Sequence, residues 1–138
     1  MMKAYRVGLL VIGALLVACV MGAAGNADGD KLQKAVVRFD EPVKLLDVIL
    51  KGEYVIIHDD ERMAKGEACT YVYTHDNGQQ GKLVTSFHCI PVERQATDHF
   101  TVLIGGYDPA TQLPELLEYR FAGSSEGHKV PRPAAVHP

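Results

Sequence analysis

At 138 residues, with 47% hydrophobic and 22% charged positions and a formal net charge of −3, the chain has room for one ordinary domain and hardly two. It shows no basic stripe and no run of Lys and Arg interleaved with aromatics, so nucleic acid is not an expected partner, since phosphate binding draws on that charge. The absence of Trp and an aromatic fraction of 7% argue against a platform for stacking sugars or bases.

Residues 1–6 carry two positive charges, Lys3 and Arg6, and residues 7–18 follow without a charge, which is the layout of a secretion signal. Leu16, Val17, Ala18 and Cys19 then form a run that resembles the lipobox of bacterial lipoproteins. That resemblance implies that the Cys19 thiol is acylated and becomes the mature N-terminus, with the membrane as a partner through a lipid anchor that needs more than one acyl chain to hold. Small residues at Gly22, Ala23, Ala24 and Gly25 suit an ordinary signal peptidase instead, and residues 7–25 are just long enough to span a bilayer as an uncleaved anchor. The expectation carried forward is a lipoprotein-type signal over 1–18 and a flexible tether over 19–34. The domain would be exported, either held as a periplasmic or cell-surface lipoprotein or secreted. A cleaved leader takes Lys3 and Arg6 with it and moves the net charge from −3 to −5.

From Ala35 onward the dominant pattern is period two with β-branched and aromatic enrichment. Strands are expected over 35–39, 43–50, 53–58, 69–75, 82–90, 100–104 and 116–122, with Pro42 marking an edge or interruption and Gly52 a tight bend. Between the third and fourth strands Asp60 can cap one helical turn, which Gly66 can end in a left-handed conformation. The segment 111–121 fits a helix starting at Pro114 or a strand on the alternation of Leu117, Tyr119 and Phe121. The strand is preferred for its β-rich neighbours. Residues 35–123 are thus expected to form an all-β domain, a small antiparallel β-sandwich or barrel of about seven strands with one short helical turn. Residues 124–138, with three prolines, are expected to be a mobile tail.

Two alternating segments flank the turn-rich run 76–81 and predict a hairpin. A register that sets Tyr71 against Phe87 and Tyr73 against Thr85 also sets Cys69 against Cys89, close enough for a disulfide. With Cys19 acylated or removed, these are the two remaining cysteines, and an exported location supplies the oxidising compartment. Closing a loop of roughly 20 residues would contribute about 3 kcal/mol in the chain-entropy picture. The same alternation puts Cys69, Tyr71, Tyr73, Leu83, Phe87 and Cys89 on the core face, and Thr70, Val72, Thr74, Val84, Ser86 and His88 on the other.

No nucleophile elbow, phosphate loop, dinucleotide fingerprint or His-Glu-x-x-His is present, and the cysteines are not spaced as Cys-x-x-Cys. The sequence therefore favours a non-enzymatic binding or interaction module, its partner an envelope protein or small ligand, with no cofactor. The alternative is a metal-binding or redox-associated periplasmic protein in which His58, His88 and His128 gather on zinc or copper. The acidic run Asp59, Asp60 and Glu61 reads as helix-start chemistry neutralised by Arg62 and Lys65.

Overall fold

The computed structural model describes residues 32–132. The predicted signal, the lipobox with Cys19 and most of the tether lie outside the described residues.

β1 (Leu32–Leu45) and β2 (Val48–Asp59) form a long antiparallel hairpin; along the first half of β1 exposed positions, Leu32 and Val36 among them, alternate with more buried ones that end at Phe39. Two predicted strands, 35–39 and 43–50, are thereby reorganised. The chain runs through Pro42, which falls in a break of register between Phe39 and Val43. The turn comes instead at Leu46 and Asp47. Leu46 takes a left-handed φ of 55°, a conformation that costs an L-residue roughly 1–2 kcal/mol. Its packing against the core compensates. Gly52, with φ 98°, lies inside β2 opposite Phe39, where the register break needs a left-handed backbone.

α1 (Asp60–Ala64) follows, capped one residue earlier than expected. Asp59 Oδ1 accepts from the backbone N–H groups of Glu61 (3.0 Å) and Arg62 (3.2 Å). β3 (Thr70–Asp76) and β4 (Gln79–Phe87) form the predicted hairpin around a shorter turn of two residues, Asn77 and Gly78, both at positive φ as a tight type I′ connection requires. β5 (Ile90–Glu93), β6 (Thr101–Asp108), β7 (Leu113–Arg120) and β8 (Glu126–Lys129) complete the fold. The segment around Tyr119 is a strand. β8 lies in what the sequence suggested was a mobile tail, yet it is paired on both sides and buries Gly127 and His128.

The fold is all-β: among the described residues there is one sheet of eight strands, in the order β4-β3-β2-β1-β7-β8-β5, with β6 on β7. Its pairings are antiparallel except where β1 meets β7 at Lys44 and Glu115. Neighbouring strands lie about 4.8 Å apart, so in a flat sheet β2 and β8, three steps apart, would be separated by about 14 Å. Yet the rings of His58 on β2 and His128 on β8 have centroids 4.0 Å apart. The sheet therefore curls over its own interior. Its edge strands β4 and β5 are joined through His88 and Cys89 alone, which brings the two edges to a seam. No ladder joins them among the described residues, so the sheet is not closed.

Phe39, Val43, Leu45, Leu50 and Leu116 fill one end of the interior. At the seam end, Arg94 grips the buried carboxylate of Glu118 through two hydrogen bonds of 3.0 and 2.9 Å, tying the chain after β5 to β7.

Candidate metal centre

His58 stands near the end of β2, held in ladders with Gln33 and Thr70, and is 1% exposed. Cys69 directly precedes β3. Its carbonyl accepts from the Asp59 N–H at 2.9 Å and its own N–H donates to the Phe87 carbonyl at 3.2 Å, so both neighbouring strands fix its backbone. Cys89 lies in the link across the seam, and its N–H donates to Cys69 Sγ at 3.1 Å. His128 is held between Tyr119 on β7 and Pro91 on β5 and is fully buried.

The hairpin register explains why the cysteines are not where the sequence placed them. Thr70 pairs with Phe87, one residue away from the register that would set Cys69 against Cys89. Both cysteines are free, buried thiols, and the predicted disulfide is absent from the structure. The short Asn77–Gly78 turn and two irregularities further along the hairpin account for the slip. A slip of one residue exchanges faces. Thr70 and Val72 accordingly point into the core, while Tyr71 and Tyr73 are only half-buried and Leu83 is exposed, the reverse of the expected arrangement. Phe87 and Cys89 are buried as expected.

Of the three histidines proposed as ligands, the structure brings His58 and His128 together and leaves His88 exposed on the outer side of the seam. Its place is taken by Cys69 and Cys89, which the sequence assigned to a disulfide, and by Glu126, which it did not single out. One donor atom each from His58, Cys69 and Cys89 lies within 4.8 Å of the others, and the same holds for His58, Glu126 and His128. Cys89 Sγ and His128 Nδ1 are 3.7 Å apart. Zinc–sulfur and zinc–nitrogen bonds of about 2.3 and 2.05 Å in a tetrahedron put neighbouring sulfur and nitrogen ligands about 3.6 Å apart. That edge is already formed, and it links His128 to the triad of His58, Cys69 and Cys89; one ion on all four donors would require their side chains to draw together.

The polar groups here are not satisfied by the protein. Neither nitrogen of His58 makes a hydrogen bond, and His128 Nε2 has no partner. Asp60 Oδ1 is 3.4 Å from His58 Nδ1 without hydrogen-bonding geometry, and Glu126 Oε1 is 3.7 Å from His128 Nδ1. A buried polar atom left unpaired costs about 1–3 kcal/mol, so three of them are a considerable burden for a small domain. Coordination would remove it.

Charge points the same way. Burial lowers the pKa of His58 against the opposing pull of Asp60 and Asp59, and burial together with His58 brings that of His128 down to about 3. Both imidazoles are therefore neutral near pH 7, the form that ligates metals. Burial, reinforced by Cys69, pushes the Cys89 thiol up to about 12. Without a cation this sulfur keeps its proton, and a coordinated divalent ion would remove it. Around the donors, the Tyr119 ring stacks on His128 with centroids 4.9 Å apart, and its hydroxyl hydrogen-bonds Thr70 Oγ1. Burial drives the Tyr119 pKa far upward, so the hydroxyl stays protonated.

A signal for part of this constellation was present in the sequence: Glu126 and His128 place a carboxylate two residues from an imidazole, on the same face of an extended chain. Compared with known protein families, with curated proteins and with solved structures, the chain matches none.

Proposed function

We propose that this is an exported, non-enzymatic metal-binding domain that holds a thiophilic ion, zinc or copper(I), through His58, Cys69, Cys89 and His128. The observation that carries the reading is the triad of buried His58, Cys69 and Cys89, with buried His128 Nδ1 3.7 Å from Cys89 Sγ and with both nitrogens of His58 and Nε2 of His128 lacking a protein partner. Two sulfurs and two imidazoles are a donor set that both ions favour. Burial suits a structural or carrier role, since a catalytic ion keeps a position open to substrate. Export is supported by the charged start and apolar run of residues 1–18, and a lipid anchor by the run ending in Cys19.

Metal analysis of reduced protein purified without a histidine tag tests the reading. About one zinc or copper ion per chain is expected, displaced by a strong chelator, and absent from Cys69→Ser and His128→Asn variants that retain their β-sheet circular dichroism. Denaturing the loaded protein without reductant should release two titratable thiols. No stoichiometric ion in the wild type, or a Cys69–Cys89 disulfide in the native protein, would overturn the proposal.

A second reading, an interaction module, has one observation in its favour. β6 pairs with β7 on one side only, and Leu103, Ile104 and Tyr107 on it are exposed. Replacing Tyr107 and Leu103 with Ser should abolish retention of an envelope partner while leaving metal content unchanged. Retention that survives both changes counts against this reading.

A further inference from the structure

We propose that the ion reaches the two sulfurs through an outer position made by His58, His128 and the Glu126 carboxylate, and moves inward by exchanging that carboxylate for Cys69 and Cys89. The inference rests on the metal reading above and adds a loading path to it.

The two donor triads share His58 but differ in setting. His58, Cys69 and Cys89 are all buried, whereas Glu126 is exposed, with 48% of its side chain open to solvent. A buried set of donors needs an entry path, and of the five residues Glu126 alone is exposed, Cys89 being 8% exposed and the other three 1% or less. It lines a surface depression of about 290 Å³ together with Pro91, Val92, Glu93 and Ser125. The handover point is His128 Nδ1, which faces Glu126 Oε1 and Cys89 Sγ at the same distance, 3.7 Å. His58 stands within reach of both triads, so the ion could keep an imidazole throughout.

Donor chemistry gives the path its direction. A carboxylate and two imidazoles suit a hydrated ion arriving from water, and thiolates hold thiophilic ions more tightly. In the exchange the ion gains two sulfur ligands, the two thiols release two protons to water, and Glu126 departs as the carboxylate it was. No electron is transferred.

Rapid mixing of reduced, metal-free protein with cobalt(II) chloride tests this. The wild type should show an early phase with ligand-field absorption but no thiolate-to-cobalt charge transfer, followed by growth of the charge-transfer band. Glu126→Gln should slow loading and chelator-driven release by about tenfold or more, with the final spectrum unchanged. Glu93→Gln removes the same charge from the residue paired with Glu126 across β5 and β8, a carboxylate that lines the same depression but belongs to neither donor triad, and should change the rate by less than about threefold. The Cys69→Ser, Cys89→Ser double variant should retain the early phase and lack the second. A wild type that takes up no cobalt sinks the metal reading itself. Loading that proceeds in one phase at the same rate in Glu126→Gln overturns only the path. So does a Glu126→Gln protein whose final spectrum is altered, because Glu126 would then be a permanent ligand.

Discussion

The two ends of the curled interior are built on opposite principles. Around Leu45 and Leu50 the chain buries apolar side chains in a tight hairpin, and the hydrophobic effect alone justifies their place. Eight positions further along β2, about 26 Å of strand, His58 faces His128, Cys69, Cys89 and Thr70, all buried, and three nitrogens of the two imidazoles are without partners. The first end stabilises the fold unaided. The second detracts from it until something supplies the missing bonds.

The largest expected effect separates the ends directly. Leu50→Ala should cost roughly 2–5 kcal/mol in denaturant unfolding, by the same amount with and without metal, since the site is too distant to couple. A metal-dependent loss would show that the ends are not independent. Next, removing the ion with a chelator should lower the stability of the wild type by about 3 kcal/mol if the free ion was at a hundred times its Kd. The Cys69→Ser variant should show no such change.

His128→Leu sharpens the contrast because it should act with opposite sign in the two states. The variant should bind no ion, yet in the absence of metal it should be about 1–2 kcal/mol more stable than the wild type, having lost an unpaired buried nitrogen. Thermal unfolding of both metal-free proteins checks it. The pH dependence belongs to the same argument. The pKa of His128 falls from 6.5 in the unfolded chain to about 3 in the fold, and that of His58 also falls. Within that window the unfolded chain binds protons that the folded chain does not. The stability of the metal-free wild type should therefore be fully present above pH 6.5 and decline as the pH drops toward 3, with a shallower decline in His128→Leu. The smallest effect is expected from Tyr119→Phe, which removes the hydrogen bond to Thr70 and should cost about 1 kcal/mol.

How far the sequence could be read follows from the range of the interactions involved. The hairpin around residues 76–81, the helical turn before Gly66 and the strand through Tyr119 rest on neighbours in the chain, and local pattern was enough to find them, though not the exact turn at Asn77 and Gly78. Register was harder: Cys69 and Cys89 make an attractive pair, but turn length and two irregularities in the hairpin decide the pairing, and they decide against it. β8 was out of reach, being four residues whose partners, Pro91 and Tyr119, lie far away and hold it in place despite the glycines and prolines around it. The meeting of His58 with His128 depends on the curl of the whole sheet, which no local spacing encodes. His88 looked equivalent to both but has an odd-numbered offset from the buried Phe87 and Cys89, and so faces out.

The brief link through His88 and Cys89 has a consequence beyond coordination. It brings two unpaired strand borders side by side, and such borders invite pairing with other molecules. An ion gripped by Cys69 on one flank and His128 on the other would fasten them like a rivet, so that demetallation would leave the polypeptide more prone to self-association.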